Sequence, residues 1–293
     1  MRVLNLPKFG DVPFKNSIQF CRNKNVYNMN EFNSKNELVN KVALITGGNS
    51  GIGYATAKVL HAAGASVIIT GRNEESVEKA AKELNVTGMI ADQRDLSTLD
   101  PLFDQIIIKH SKIDILFLNA GVGTFQSIDS VTEASFNLIM DTNVKGTFFT
   151  LQKLLPLISN GGSIIFNASV TPLLGIPNSS VYAGSKAAIV SMARVLAKEL
   201  SFRSIRVNTV SPGAIKTGVH SASPTAHQRK IVTTPQKLKA FENAVEQRIL
   251  LGRYGLAEEV GNVVKFLASD EASFINGSVI TVDGGVTVDP LGY

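Results

Sequence analysis

A serine, a tyrosine and a lysine stand at spacings suited to moving a proton. Ser169 is followed thirteen residues later by Tyr182, and Tyr182 four residues later by Lys186. A spacing of four puts Tyr182 and Lys186 one above the other on one helix face, where an ammonium can stabilise a phenolate. An unperturbed tyrosine titrates near pH 10, so proton transfer around neutrality needs a depression of about 3 pH units, roughly 4 kcal/mol. Lys186, with further positive charge brought by a ligand, is an adequate source. Ser169 follows an apolar run, Ser163–Ala168, where its hydroxyl can point into a crevice beyond a strand end. A half-buried tyrosine beside a lysine with a buried stem gives the same pair, so the spacing alone decides nothing.

A second set of residues points to phosphate. Thr46-Gly47-Gly48-Asn49-Ser50-Gly51-Ile52-Gly53 lies between an apolar run and a helical stretch that begins near Tyr54. Glycines there allow positive φ and let the backbone approach a ligand closely. The exposed N–H groups and the dipole of the helix start favour a pyrophosphate. A purely structural turn has the same composition; the position between strand and helix is what favours a dinucleotide. The next apolar run ends in Thr70-Gly71-Arg72. A site for NAD usually puts a carboxylate at that strand end for the ribose 2′-hydroxyl. Here a guanidinium is available for a 2′-phosphate, unless Arg72 is only a solvated loop residue. NADP(H) is the expected cofactor, with NAD(H) as the other option.

These residues need a scaffold, and the chain alternates between two kinds of segment that can supply one. Apolar runs over Val42–Thr46, Ser66–Thr70, Thr87–Ala91, Ile113–Asn119, Ser163–Ala168, Ile205–Val210 and Ser278–Val282 read as strands covered on both faces. Helical stretches over Tyr54–Ala63, Glu74–Leu84, Leu99–His110, Ser135–Ile158, Ala187–Leu200 and Glu258–Ala268 are long enough to cross between parallel neighbours. The expected class is α/β: one doubly wound, seven-stranded parallel sheet with helices on both faces.

Taken together, these motifs resemble the short-chain dehydrogenase/reductase family over nearly all of residues 40–289. In family order they are the Thr46–Gly53 turn, Asp92, Asn119-Ala120-Gly121, Asn143, Ser169, Tyr182 with Lys186, Pro212-Gly213 with Thr217, and Asn276-Gly277 through Asp283-Gly284-Gly285. The resemblance implies a Rossmann-type catalytic domain over 39–293 that transfers a hydride between NADP(H) and a carbonyl or secondary alcohol. It also implies roles. Tyr182 would be the acid–base group, Lys186 would lower its pKa and hold the nicotinamide ribose, and Ser169 with Tyr182 would bind the substrate oxygen. Asn143 would anchor a proton-relaying water chain. Gly47, Asn49, Ser50, Gly51, Ile52 and Gly53 would cradle the pyrophosphate, and Arg72 would read the 2′ position. Asp92 would meet the adenine amino group, and Asn119 and Gly121 would pass beside the adenosine ribose. Pro212, Gly213, Ile215 and Thr217 would orient the nicotinamide carboxamide. Gly184 stands where the family commonly has alanine, at up to about 1 kcal/mol of helix propensity and no cost to the chemistry.

Composition closes off other classes. The chain has 293 residues, 44% hydrophobic and 18% charged, enough for a real core. No apolar stretch approaches the length of a membrane-spanning helix. A single cysteine, Cys21, excludes an internal disulfide, and four scattered histidines give no metal-ligand spacing. The net charge of +5 is concentrated in Arg2, Lys8, Lys15, Arg22 and Lys24, in an appendage and not on a stripe for nucleic acid. Residues 1–38 read as a disordered or processed N-terminal extension; an organelle transit peptide or a true start at Met29 are the other readings. The cytoplasm is the default compartment. The polar segment Val219–Phe241, with His220 and His227, reads as the substrate-covering region and names no substrate. A 3-oxoacyl-(acyl-carrier-protein) reductase-like activity is the alternative, ahead of a non-enzymatic NADP-binding sensor or a sugar-nucleotide epimerase. The resemblance further suggests a homotetramer or dimer.

Overall fold

The computed structural model describes residues 37–217 and 235–288; residues 1–36, Cys21, His220 and His227 lie outside them. The chain alternates as expected. It runs β1 (Val42–Thr46), α1 (Gly51–Ala62), β2 (Ser66–Gly71), α2 (Glu74–Leu84), β3 (Thr87–Ile90), α3 (Leu99–His110) and β4 (Ile113–Leu118). Then come α4 (Glu133–Met140), a π turn (Asp141–Gly146), α5 (Thr147–Leu154), β5 (Ile158–Asn167), α6 (Thr171–Leu174), α7 (Ser180–Glu199) and β6 (Arg206–Pro212). The last part holds β7 (Ile215–Lys216), α8 (Pro235–Glu246), β8 (Gly255–Leu256), α9 (Ala257–Ala268) and β9 (Val279–Val282).

Seven strands form one parallel sheet in the order β3-β2-β1-β4-β5-β6-β9. The order reverses between β1 and β4, and in open sheets of this kind ligands bind at that reversal, beyond the strands' carboxyl ends. Alternation along each strand divides the core between the two faces. Leu44, Ile68, Leu116 and Ile164 point to one face, where they pack with Leu102 and Ile106 of α3, Leu151 of α5 and Ile189 of α7. Their neighbours Ile45, Ile69, Phe117 and Ile165 point to the other, with Ala57 and Leu60 of α1 and Val260 and Val264 of α9. Each such fully buried side chain contributes about 1.5–3 kcal/mol, so the sheet is the rigid part of the molecule. Leu38 belongs to the second cluster and its amide donates to the Ala63 carbonyl. The folded part therefore begins before residue 39.

Four differences from the sequence expectations matter. The single helix expected over Ser135–Ile158 is split: a π turn interrupts it, and Pro156 lies in the 3-10 turn that ends it, as expected for a residue without an N–H to donate. Strand β5 begins at Ile158 instead of Ser163, across a register irregularity that includes Gly161 at φ +78°. Helix α7 begins at Ser180, not Ala187, so Tyr182 and Lys186 both lie in it. A two-stranded parallel ladder, β7 with β8, had no counterpart in the reading, since two-residue strands have no periodicity to detect.

Candidate active site

The β1–α1 turn is built by close backbone approach. Gly47 has φ +64°, and a Cβ on Gly53 would sit 2.2 Å from the Gly47 carbonyl oxygen and 2.6 Å from Nδ2 of Asn119. No side chain fits at Gly53, so the turn folds tightly on itself. Thr46 and Asn119 brace it from beneath. Thr46 Oγ1 accepts from the amides of Asn119 and Ala120 (3.0 Å each), and Asn119 Nδ2 donates to the carbonyls of Thr46 (3.0 Å) and Gly47 (3.2 Å).

A cavity of about 760 Å³ runs from this turn across the strand ends, within the size range of small-molecule and cofactor sites. The turn contributes Gly47, Asn49, Ser50, Gly51 and Ile52 to its wall, and the ends of β2 and β3 add Arg72 and Asp92. Asn119 and Gly121 follow β4, Ser169 follows β5, and Tyr182 and Lys186 lie in the first turns of α7. Pro212, Gly213, Ile215 and Thr217 complete it past β6. Two expected residues stay off this wall. Gly53 serves the turn from behind. Asn143 is 1% exposed, and its side chain is engaged locally: Oδ1 accepts from the Val122 amide (2.8 Å), while Nδ2 donates to the Val122 carbonyl (2.9 Å) and to Ser185 Oγ (3.0 Å).

At the end of the cavity beside α7, Lys186 is 5% exposed and donates from Nζ to the Asn167 carbonyl (2.8 Å). Burial pushes its amine down to about 8. The ammonium lies 5.9 Å from the centre of the Tyr182 ring. The phenol itself moves the other way from the sequence expectation. Burial pushes Tyr182 up, and a hydrogen bond from Ser169 offsets only part of that. The chain alone does not lower the phenol; burial dominates at this position. Phe125 packs near the Tyr182 ring, centroids 6.1 Å apart, and Gly123 leaves the ring's face open, since a Cβ there would stand 3.3 Å from it.

At the end of the cavity beside β2 and β3, burial alone would raise the Asp92 carboxyl. The Arg94 side chain (3.1 Å) and amide (3.0 Å), with the charges of Arg94 and Arg72, instead hold it below the usual range. Two guanidiniums thus face one carboxylate. Among the described residues no group of three or more histidine, cysteine or carboxylate side chains could hold a metal, and no helix is long and apolar enough to cross a membrane.

The residues fit a dinucleotide. Gly53 in the cradle admits no side chain, Gly47, Asn49, Ser50, Gly51 and Ile52 line the cavity, and the buried Asn167 Oδ1 has no hydrogen-bond partner among the described residues. Residues that the sequence reading missed include Arg94, Gln93, Asn167 and Thr171. Arg94 alone had a usable signal, as a cation two residues beyond Asp92; the other three acquire meaning only from the atoms that the fold brings to them.

Known proteins resemble this chain over most of its length. The sequence model of a family described as enoyl-(acyl carrier protein) reductase matches residues 47–287. Oxidoreductase asL5 of Sarocladium schorii is 38% identical over 253 residues, covering 85% of this chain and 96% of that protein. A 3-oxoacyl-(acyl-carrier-protein) reductase of Thermotoga maritima is 35% identical over 258 residues, covering 86% of this chain and 99% of the relative. Among solved structures, a short-chain dehydrogenase/reductase of Brucella melitensis, titled glucose/ribitol dehydrogenase, superposes with a TM-score of 0.77 at 29% identity. That match covers 86% of this chain and 98% of the other.

Proposed function

Because the chain belongs to the short-chain dehydrogenase/reductase family, and so is an oxidoreductase acting on CH–OH or C=O groups with a nicotinamide cofactor, we propose that it is an NADP(H)-preferring carbonyl reductase. One observation carries this reading: Ser169, Tyr182 and Lys186 share a cavity wall with the glycine turn and Arg72. The cofactor, when bound, supplies the hydride. The rest is the work of this chain. Ser169 Oγ and Tyr182 Oη hold the substrate oxygen, Tyr182 passes its proton to that oxygen as the alcohol forms, and Lys186, 5.9 Å from the ring centre, supplies positive charge beside the resulting phenolate. An amine titrating near 8 is mostly charged at neutral pH yet able to give up a proton, which suits it to refilling the phenol.

Arg72 and Arg94 against the one carboxylate of Asp92 support the preference for a 2′-phosphate over a 2′-hydroxyl. Similarity to 3-oxoacyl-(acyl-carrier-protein) reductases of Thermotoga maritima and Rickettsia conorii, each at 35% identity, supports a 3-oxoacyl thioester as one substrate class. We also read the protein as a homo-oligomer.

The test is NADPH consumption across a panel of ketones, sugars and 3-oxoacyl thioesters, with NADPH and NADH titrated in parallel. Stoichiometric NADPH oxidation is expected with at least one substrate. Tyr182→Phe should lower kcat by about 100-fold or more while NADPH still binds. NADH binding as tightly as NADPH would remove the role given to Arg72, and wild-type turnover in Tyr182→Phe would remove the mechanism.

A further inference from the structure

Ser169 faces two ways. Toward the cavity it shares a wall with Tyr182, and its hydroxyl acts to lower that phenol against the larger effect of burial. Behind it lies Thr171, the first residue of α6, only 6% exposed. The Thr171 amide donates to Ser169 Oγ at 3.2 Å, and the two hydroxyl oxygens stand 2.9 Å apart.

A hydroxyl has one hydrogen to give and two lone pairs to receive with. The Thr171 amide occupies one lone pair of Ser169 Oγ. The direction of the hydroxyl–hydroxyl bond then decides what remains. If Ser169 donated to Thr171, its hydrogen would point away from the cavity. The Thr171 hydrogen would then be left without an acceptor among the described residues, since Ser169 Oγ is the one partner of Thr171 Oγ1. A buried donor without an acceptor is costly. If Thr171 donates, both lone pairs of Ser169 are filled from behind, and its hydrogen has one direction left, forward to Tyr182 and the cavity. The second arrangement satisfies every group.

We propose that Thr171 is a positioning residue that fixes Ser169 as a hydrogen-bond donor into the cavity, toward Tyr182 Oη while the site is empty and toward the substrate oxygen once substrate is bound. This rests on the reductase reading and deepens it. A carbonyl oxygen gaining negative charge needs a donor, and Thr171 supplies the polarity that makes Ser169 one before substrate arrives. A valine has nearly the same shape as threonine and lacks the hydroxyl; a serine keeps the hydroxyl.

The experiment compares the wild type with Thr171→Val and Thr171→Ser. In cofactor-free protein at neutral pH, the tyrosine Cζ NMR resonance that disappears in Tyr182→Phe reports hydrogen bonds donated to the Tyr182 oxygen. It should move in Thr171→Val and return in Thr171→Ser. Kinetically, Thr171→Val should lower kcat about fivefold with NADPH affinity unchanged, and Thr171→Ser should restore it. Should Thr171→Val fail to fold, Thr171→Ala carries the same comparison. A role confined to packing would lower the melting temperature and leave the Cζ resonance in place, which overturns the proposal, as would failure of serine to restore it. A wild-type protein that oxidises NADPH with no substrate defeats the reductase reading, and the resonance still decides whether Thr171 orients Ser169.

Discussion

Lys186 has a single carbonyl for a partner and almost no water around it, so its neutral form is favoured in the folded chain relative to the unfolded one. Its amine titrates near 8 when folded, against an ordinary value of 10.5. Between those two values the unfolded chain binds more protons, so folding stability rises with pH across that window. Below pH 8 both states are charged and the desolvation penalty is present in full, about 3 kcal/mol. Tyr182 has the opposite sign: its folded value lies above 10, so above pH 10 it lowers stability as pH rises. Lys186→Met removes the first effect. Urea unfolding of both proteins should show the stability of wild type relative to Lys186→Met climbing by about 2 kcal/mol from pH 7 to pH 10 and staying flat below pH 7. A difference independent of pH would mean that the amine is hydrated. The Ser169, Tyr182 and Lys186 set was legible in the sequence because one helical turn fixes the relation of Tyr182 to Lys186. The upward shift of the phenol was not, because desolvation depends on what covers a ring, and Phe125 and Gly123 come from another segment.

At the scale of elements, the most informative feature is the π turn over Asp141–Gly146, which presents Asn143 to Val122. Turns of this kind disturb the regular carbonyl ladder and often mark functional sites. Periodicity reads one helix through Ser135–Ile158, since a π turn of six residues is too short to show a period of its own. The partner that holds the turn was likewise invisible. Gln93 is 7% exposed, and its Nε2 donates to the Thr142 carbonyl (2.7 Å) and the Ala120 carbonyl (2.9 Å). That single amide ties the π turn to the Asn119-Ala120-Gly121 turn. Contact is also close along the backbone, for a Cβ on Gly146 would stand 2.3 Å from the Gln93 carbonyl oxygen. Gln93→Met keeps the volume and removes the donor to the buried Thr142 carbonyl and to the half-buried Ala120 carbonyl. The expected loss is about 2 kcal/mol in urea unfolding, with faster amide hydrogen exchange confined to residues 119–122 and 141–146. Exchange that rose evenly over the whole sheet, or not at all, would show that the amide does not hold these two turns together.

At the scale of the whole molecule, the seven strands and their alternation with helices were legible because each strand is apolar on both faces and each crossover is long. The edges of the sheet were not, since an edge is defined by what fails to pair. The structure puts β9 at one edge, hydrogen-bonded to β6 and to no other strand among those described. Exposed apolar side chains flank it: Phe266 on α9, and Phe274, fully exposed, on the turn that leads into β9. An unpaired strand edge beside exposed aromatics is a surface that soluble chains usually cover. A second copy would meet it with the same strand and the same Phe274, the self-complementary arrangement of a two-fold interface. Light scattering should therefore return a dimer or tetramer, and Phe274→Asp should shift that mass toward a smaller species, because two carboxylates would face each other across the axis. A wild-type monomer would remove the interface altogether. An oligomer that Phe274→Asp leaves intact would move the contact to another face, such as the one where Phe136 on α4 and Phe148 on α5 are exposed.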